Sequence, residues 1–326
     1  MIKRIILSVF ITLSFMQAKA QQDAQFSQYI FNGLYINPAY AGYKSDFYIN
    51  SFFRSQWTGL NGAPQTVSVA GDGAIADDKV GLGLLVSNDR LGAQSNTALY
   101  ANYAYRIQIG QEANSRLAFG VGFGFIQTGI NGSKLNPTQG GDTYVPVGNQ
   151  SNIIPDGRVG VLYTNDNFFA GVSVDNLLAQ FIKSETTNAN LIPVPKPHQY
   201  VTVGALFEVA EDVKFKPSIL IKDTQTAPTS MDINAFVLLS ERLWLGASYR
   251  TAIDIYSKPN LPKGMQKASA AVAMAEFFVT PSFRVGYAYD YSLNKLGAYG
   301  YGSHEISISF MIKNRNNTDP TRKCYF

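Results

Sequence analysis

Residues 116–127 read Arg-Leu-Ala-Phe-Gly-Val-Gly-Phe-Gly-Phe-Ile-Gln. Leu117, Phe119, Val121, Phe123 and Phe125 take every second position, with Ala118, Gly120, Gly122 and Gly124 between them. A helix advances about 100° per residue and would scatter the five large side chains around its circumference. A strand puts them all on one side. The stretch is therefore a strand with one continuous apolar face and one face of almost no side chain. Water penalises such an apolar face unless something covers it; lipid does not.

The alternation recurs along the chain. Leu99, Ala101, Tyr103, Tyr105 and Ile107 alternate with Tyr100, Asn102, Ala104 and Arg106. Phe283, Val285, Tyr287 and Tyr289 alternate with Arg284, Gly286, Ala288 and Asp290. Ile306, Ile308, Phe310 and Ile312 alternate with Ser307, Ser309 and Met311. The pattern predicts strands over 45–54, 64–72, 79–88, 96–109, 115–127, 157–164, 167–175, 199–209, 213–222, 231–240, 242–251, 267–276, 280–290 and 304–312. That is about fourteen; the weaker segments 64–72 and 267–276 leave twelve as the alternative count. An even number of antiparallel strands is what bacterial outer-membrane barrels use. The connections sort by parity. Those after even-numbered strands are short, whereas 128–156, 176–198, 252–266 and 291–303 are long. Short periplasmic turns opposite long outer loops belong to a membrane barrel with both ends inside. A soluble sandwich has no reason to sort loops this way, and no blade-length repeat supports a propeller.

Composition agrees. Of 326 residues, 46% are hydrophobic and 13% aromatic, but only 15% are charged, against about 25% in soluble domains. Mean hydropathy is only −0.05, too low for a bundle of apolar helices about 20 residues long. One Cys excludes a disulfide framework and a Cys-rich zinc site. Lys3 and Arg4 precede an apolar run and then Ala18-Lys19-Ala20, the pattern of a secretory signal cut after Ala20. Losing Lys3, Arg4 and Lys19 takes the formal net charge from +4 to +1. The sequence pI of 8.9 is thus no argument for nucleic acid. The expected organisation is a signal peptide (1–20), an N-terminal periplasmic or plug segment (21–44), an all-β, up-and-down transmembrane barrel (45–312) and a periplasmic tail (313–326).

Several segments resemble the PorP/SprF family of outer-membrane proteins. Residues 25–42, QFSQYIFNGLYINPAYAG, look like its signature after the signal peptide. Arg54-Ser55-Gln56-Trp57 with Ala63-Pro64-Gln65-Thr66, and Ser87-Asn88-Asp89-Arg90-Leu91-Gly92, are similar to later family blocks. The ending Cys324-Tyr325-Phe326 resembles a frequent family ending, with Tyr325 in place of a proline. The resemblance implies an outer-membrane barrel serving the type IX secretion system and gliding motility. It also implies partners among the machinery's periplasmic and outer-membrane components, and a secreted surface protein such as an adhesin as cargo.

Candidate residues follow from parity and composition. Lys79, Arg106, Arg250 and Arg284 face inward by strand parity and are expected to pair with Glu208 and Asp290 in a lumen network. Phe26, Tyr29, Ile30 and Leu34 fit one face of a short amphipathic helix stopped at Asn37-Pro38. A barrel this wide has room for such a plug. Tyr144 and Phe181, in the long loops, are the candidate anchors for a partner. The only imidazoles are His198 and His304. Ser303, His304 and Glu305 are adjacent, so a strand turns them to alternate faces and they form no triad. No catalytic site, cofactor or metal is expected. The expected role is an accessory or anchoring platform for a type IX cargo; the alternative is a channel for a small or hydrophobic solute.

Overall fold

The computed structural model describes residues 26–110, 115–135, 146, 148–181, 195–258, 261, 267–298 and 300–313. Their strands are β1 (Phe47–Ser55), β2 (Gln65–Ile75), β3 (Val80–Leu91), β4 (Gln94–Gln108) and β5 (Arg116–Asn131). Next come β6 (Asn149–Thr164), β7 (Phe168–Asp175), β8 (His198–Ala205), β9 (Phe207–Ala210) and β10 (Val213–Thr224). The last five are β11 (Ala227–Leu239), β12 (Leu243–Ile253), β13 (Ala268–Thr280), β14 (Phe283–Ser292) and β15 (Ser303–Ile312). Each pairs antiparallel with its neighbour in sequence, β8 passes directly to β10, and β15 pairs with β1. The ring thus closes through fourteen strands. The short β9 lies outside it and pairs only with β10.

Every predicted strand is present, but several boundaries move. Residues 199–209 were expected as one strand and break at Leu206, whose N–H donates to the Asn167 carbonyl at 2.8 Å. Ala205 pairs with Phe168, the first residue of β7, so beyond this point the chain has a neighbour on one side only. The loop expected over 128–156 shrinks to 132–148 because β5 and β6 continue as a paired hairpin above the ring. Pro155 is tolerated in β6 because pairing with β7 begins only at Val159. The gaps expected after strands 79–88 and 213–222 tighten to the two-residue turns 92–93 and 225–226.

At the end holding both barrel termini, all connections are two to seven residues long. At the other end, 132–148, 176–197 and 254–267 are much longer. The exterior is an apolar band: Phe119, Phe123 and Phe125 are 45%, 65% and 54% exposed, while Ala118 beside Phe119 is 3% exposed. The small face of this strand therefore looks into the lumen, where the core lies.

What fills the lumen is the chain's own residues 26–45. The expected amphipathic helix is not what forms. The segment makes three short 3₁₀ turns, Gln28–Phe31, Gly33–Tyr35 and Pro38–Tyr40. Asn32 and Asn37 adopt non-helical dihedrals between the turns, and Pro38 has no N–H to continue a ladder. Side chains of the barrel wall satisfy the backbone groups that a helix would have satisfied internally.

Candidate functional site

The plug is fastened at three levels. Near the long-loop end, Glu305 of β15 accepts the backbone N–H groups of Ser27 and Gln28, each at 2.9 Å. Ser27 Oγ donates to Asp290 at 2.8 Å. Arg54 bridges the two acids, 2.7 Å from Asp290 and 3.1 Å from Glu305. Arg250 completes the cluster, 2.8 Å from Asp232 and 3.4 Å from Asp290. All five charged residues are buried. Charges taken out of water are tolerated only when paired and hydrogen-bonded, and here two plug N–H groups complete the pairing.

At mid-height, Arg158 of β6 donates to the Leu34 and Tyr35 carbonyls at 3.1 and 2.9 Å and pairs with Asp175 at 2.9 Å. Asn37 accepts from Ala39 N–H at 2.8 Å and donates to the Val161 carbonyl at 3.0 Å. Near the short-turn end, Arg106 donates to the Ala41 carbonyl and Asp72 accepts Gly42 N–H at 2.7 Å. The glycine stripe of β5 gives this segment its space. A Cβ at Gly120 would land on the Pro38–Ala39 peptide, and one at Gly122 would meet the Arg158 side chain.

Apolar contacts lock the same segment. Phe26 packs tilted against Tyr35, with ring centres 4.2 Å apart, and lies 5.7 Å from Phe52. Phe31 meets Phe236 edge-on at 5.5 Å. Tyr29 and Leu34 are buried and Ile30 is half-buried. The Tyr29 hydroxyl accepts from Asn234 at 2.7 Å.

The expected lumen charges separate into different places. Arg250 and Asp290 join the upper cluster, Arg106 holds the plug's exit, and Arg284 lies 3.9 Å from Glu276 at the short-turn end. Glu208 is not in the lumen. It lies in the exposed β9 and pairs with Lys214. The pairing with β10 keeps its register through the break, but β9 runs past the end of β7 and both of its faces are exposed. Sequence reasoning did not single out Arg54, Asp72, Arg158, Asp232, Glu276 or Glu305 for this role. Their shared signal is a charge at an inward position of an otherwise apolar strand, clearest for Glu276 within AVAMAEFFV.

At the long-loop end, Asp156 accepts from Tyr100 Oη at 2.7 Å and from the Leu178 and Ala179 N–H groups at 2.9 and 3.0 Å. This clamps the 3₁₀ turn Ala179–Phe181, from which Phe181 stands out 77% exposed. Tyr256, in the loop after β12, donates to Asp223 at 2.7 Å, and that carboxylate raises the pKa of its phenol. Tyr144, residues 1–25 and the tail beyond Lys313 lie outside the described residues. His198 Nδ1 lies 3.2 Å from the Asn176 amide, and His304 Nδ1 lies 2.7 Å from Tyr287 Oη. Among the described residues no three His, Cys, Asp or Glu gather as metal ligands.

Among solved structures, the chain is similar to the outer membrane protein Omp33 of Acinetobacter baumannii, at 8% identity and a TM-score of 0.45, over 83% of this chain and 100% of that one. It is also similar to the CymD monoaromatic hydrocarbon channel, at 12% identity and a TM-score of 0.49, over 89% and 94% of the two chains. Likenesses this remote say nothing of what this barrel binds or passes. Curated protein sequences include no significant match. The family described as type IX secretion system membrane protein PorP/SprF matches residues 18–310, nearly the whole length. The chain therefore belongs to the PorP/SprF family, and its closed fourteen-stranded barrel is an outer-membrane component of the type IX secretion system.

Proposed function

We propose that this barrel is a non-enzymatic platform that keeps a protein exported by the type IX machinery at the cell surface. The connections 132–148, 176–197 and 254–267 form the cargo-holding side, with Phe181 and Tyr144 as apolar anchors. The short turns and the tail beyond Lys313 face the periplasmic components, after a signal peptide has been removed near Ala20. The observation that carries this reading is the filled lumen. Residues 26–45 are fixed to the wall by buried, ion-paired wall side chains that bind plug backbone atoms. A passage for solute has no use for a lumen committed to its own chain, so the same observation weighs against the channel alternative.

The test is surface display. A strain in which 132–148 and 176–197 are shortened to tight turns is expected to insert the barrel at normal levels and to release the exported protein from the surface. Display of every co-encoded exported protein at wild-type levels, with the shortened barrel present, would refute the platform reading.

A further inference from the structure

The short-turn end carries a feature that cargo holding does not use. Between the plug and strands β11 to β15 lies a cavity of about 530 Å³, open past the turns 240–242 and 281–282. That volume is in the range of small-molecule sites. Phe31, Trp244 and Phe278 line its walls, and Arg242 and Lys313 stand at its rim.

Its floor is an arginine with idle donors. The Arg284 guanidinium lies over Phe278, 4.1 Å from the ring centre, and its Nη1 is 3.9 Å from Glu276. Its Nε is buried without a hydrogen-bond acceptor, and both Glu276 carboxylate oxygens are buried without a donor. Geometry this open leaves the planar fork of the guanidinium unspent, and that fork matches a carboxylate two bonds at a time. Behind the wall a second cation, Lys216, sits 4.5 Å from the Trp244 ring centre and is 1% exposed. Two cations therefore face one buried carboxylate. Lys44, Arg242 and Lys313 add positive charge to the lining and Asp46 and Glu241 add negative, so with Arg284 and Lys216 set against Glu276 the cations outnumber the acids five to three among the described residues.

We infer that this cavity is a binding site for an organic anion with an apolar or aromatic body, its carboxylate on Arg284 and its body between Trp244 and Phe278. Orphaned buried polar atoms beside an open cavity mark a place that a ligand or ordered water completes. The apolar walls and the surplus of cations select an anion over a neutral sugar or an amine. The site stands independently of the cargo reading, because it lies at the opposite end of the barrel.

Trp244 reports on the site directly. The chain has two tryptophans, and the other, Trp57, lies at the long-loop end. In a Trp57→Phe background in uncharged detergent, para-bromobenzoate is expected to quench Trp244 saturably. The uncharged para-bromobenzamide should bind at least about tenfold more weakly. Arg284→Met should lose the acid's advantage, and Arg242→Gln at the rim should weaken it several-fold while leaving the floor intact. Equal quenching by acid and amide overturns the proposal, as does unchanged acid affinity in Arg284→Met. If Arg284→Met does not insert, Arg284→Lys replaces it: the charge stays opposite Glu276, the fork is lost, and undiminished acid affinity again overturns the proposal.

Discussion

Arg158 is the point at which the hold of wall on plug is best measured. Its side chain is buried, and its guanidinium reaches two consecutive plug carbonyls as well as Asp175. Met in its place keeps most of the stem's volume and removes the charge. Breaking one partner of a buried ion pair costs about 3–5 kcal/mol, because the other charge stays behind. Asp175 is 13% exposed in its side chain, so water relieves part of that cost. The Leu34 and Tyr35 carbonyls each lose a charged donor worth about 1.5–3 kcal/mol. The two losses share one side chain and do not add, so the expected total is about 3–5 kcal/mol. The assay is the folded fraction on an unheated denaturing gel across a urea series, with current through a planar bilayer recorded in parallel. Arg158→Met should lower the urea midpoint and give an intermittent current where the native barrel gives none. Adding Asp175→Asn removes the stranded charge, so the midpoint should recover in part while the current persists. A midpoint shift worth under about 1 kcal/mol, the size of an ordinary surface change, together with a silent bilayer, would mean that this guanidinium does not hold the plug.

Deleting 26–44 should open a steady conductance, since a ring of fourteen strands encloses more space than its own side chains fill; a silent deletion variant refutes the plug. Arg at Phe123, 65% exposed on the lipid face, should cost about 2–4 kcal/mol if it sits near the midplane, read from the same urea series. Ala at Gly120 should cost about 1–3 kcal/mol by overpacking although it adds one carbon, because the plug's Pro38–Ala39 peptide occupies that space; a neutral result there would mean the plug backs away freely. With Cys324 replaced by Ser, Cys at Gln225 should react with an impermeant maleimide on intact cells and Cys at Glu211 or Asp166 should not; the reverse pattern inverts the topology.

The ring was legible because its signal is redundant. Every lipid-facing side chain of 117–125 is large and every lumen-facing one is Ala or Gly, so facing, strand count and closure follow from period two and loop parity together. Boundaries were less legible where the pairing, and not the pattern, decides them. Residues 149–156 carry Pro155 and read as loop, yet they pair with β5 because β7 has not yet begun on their other side. Glu208 fails for a related reason: β9 continues past the point where β7 ends, so both of its faces are open, and no local sequence feature announces where the neighbour stops. The plug's location followed from its apolar residues, but its conformation did not. A helical spacing of Phe26, Tyr29, Ile30 and Leu34 is also met by a chain in short turns, provided that something else bonds its carbonyls. That something is Arg158 and Ser173, more than a hundred residues away, a distance that periodicity does not see.

The wall and the plug are matched in a way that bears on what the barrel does. A lumen kept clear for solute needs inward side chains that tolerate water, and it gains nothing from glycines beneath another backbone. Here the small face of β5 is fitted to one particular occupant. Gly120 gives way to the Pro38–Ala39 peptide, Gly122 to the Arg158 side chain that holds Leu34 and Tyr35, and the upper cluster is completed only by the Ser27 and Gln28 amides. Each is a cost to the empty barrel: a Gly in a strand interior weakens it, and buried acids without donors are expensive. These costs are offset only when the plug is seated, so barrel and plug are stable as one rigid unit. Rigidity is what a docking surface requires, because loops carried on a fixed frame lose less freedom on binding. The turn Ala179–Phe181 is tied to that frame through Asp156 and Tyr100, inward residues of β6 and β4. The exposed ring of Phe181 is thus held by the wall that holds the plug, and a firm lumen and a firm outer surface are two results of one packing arrangement.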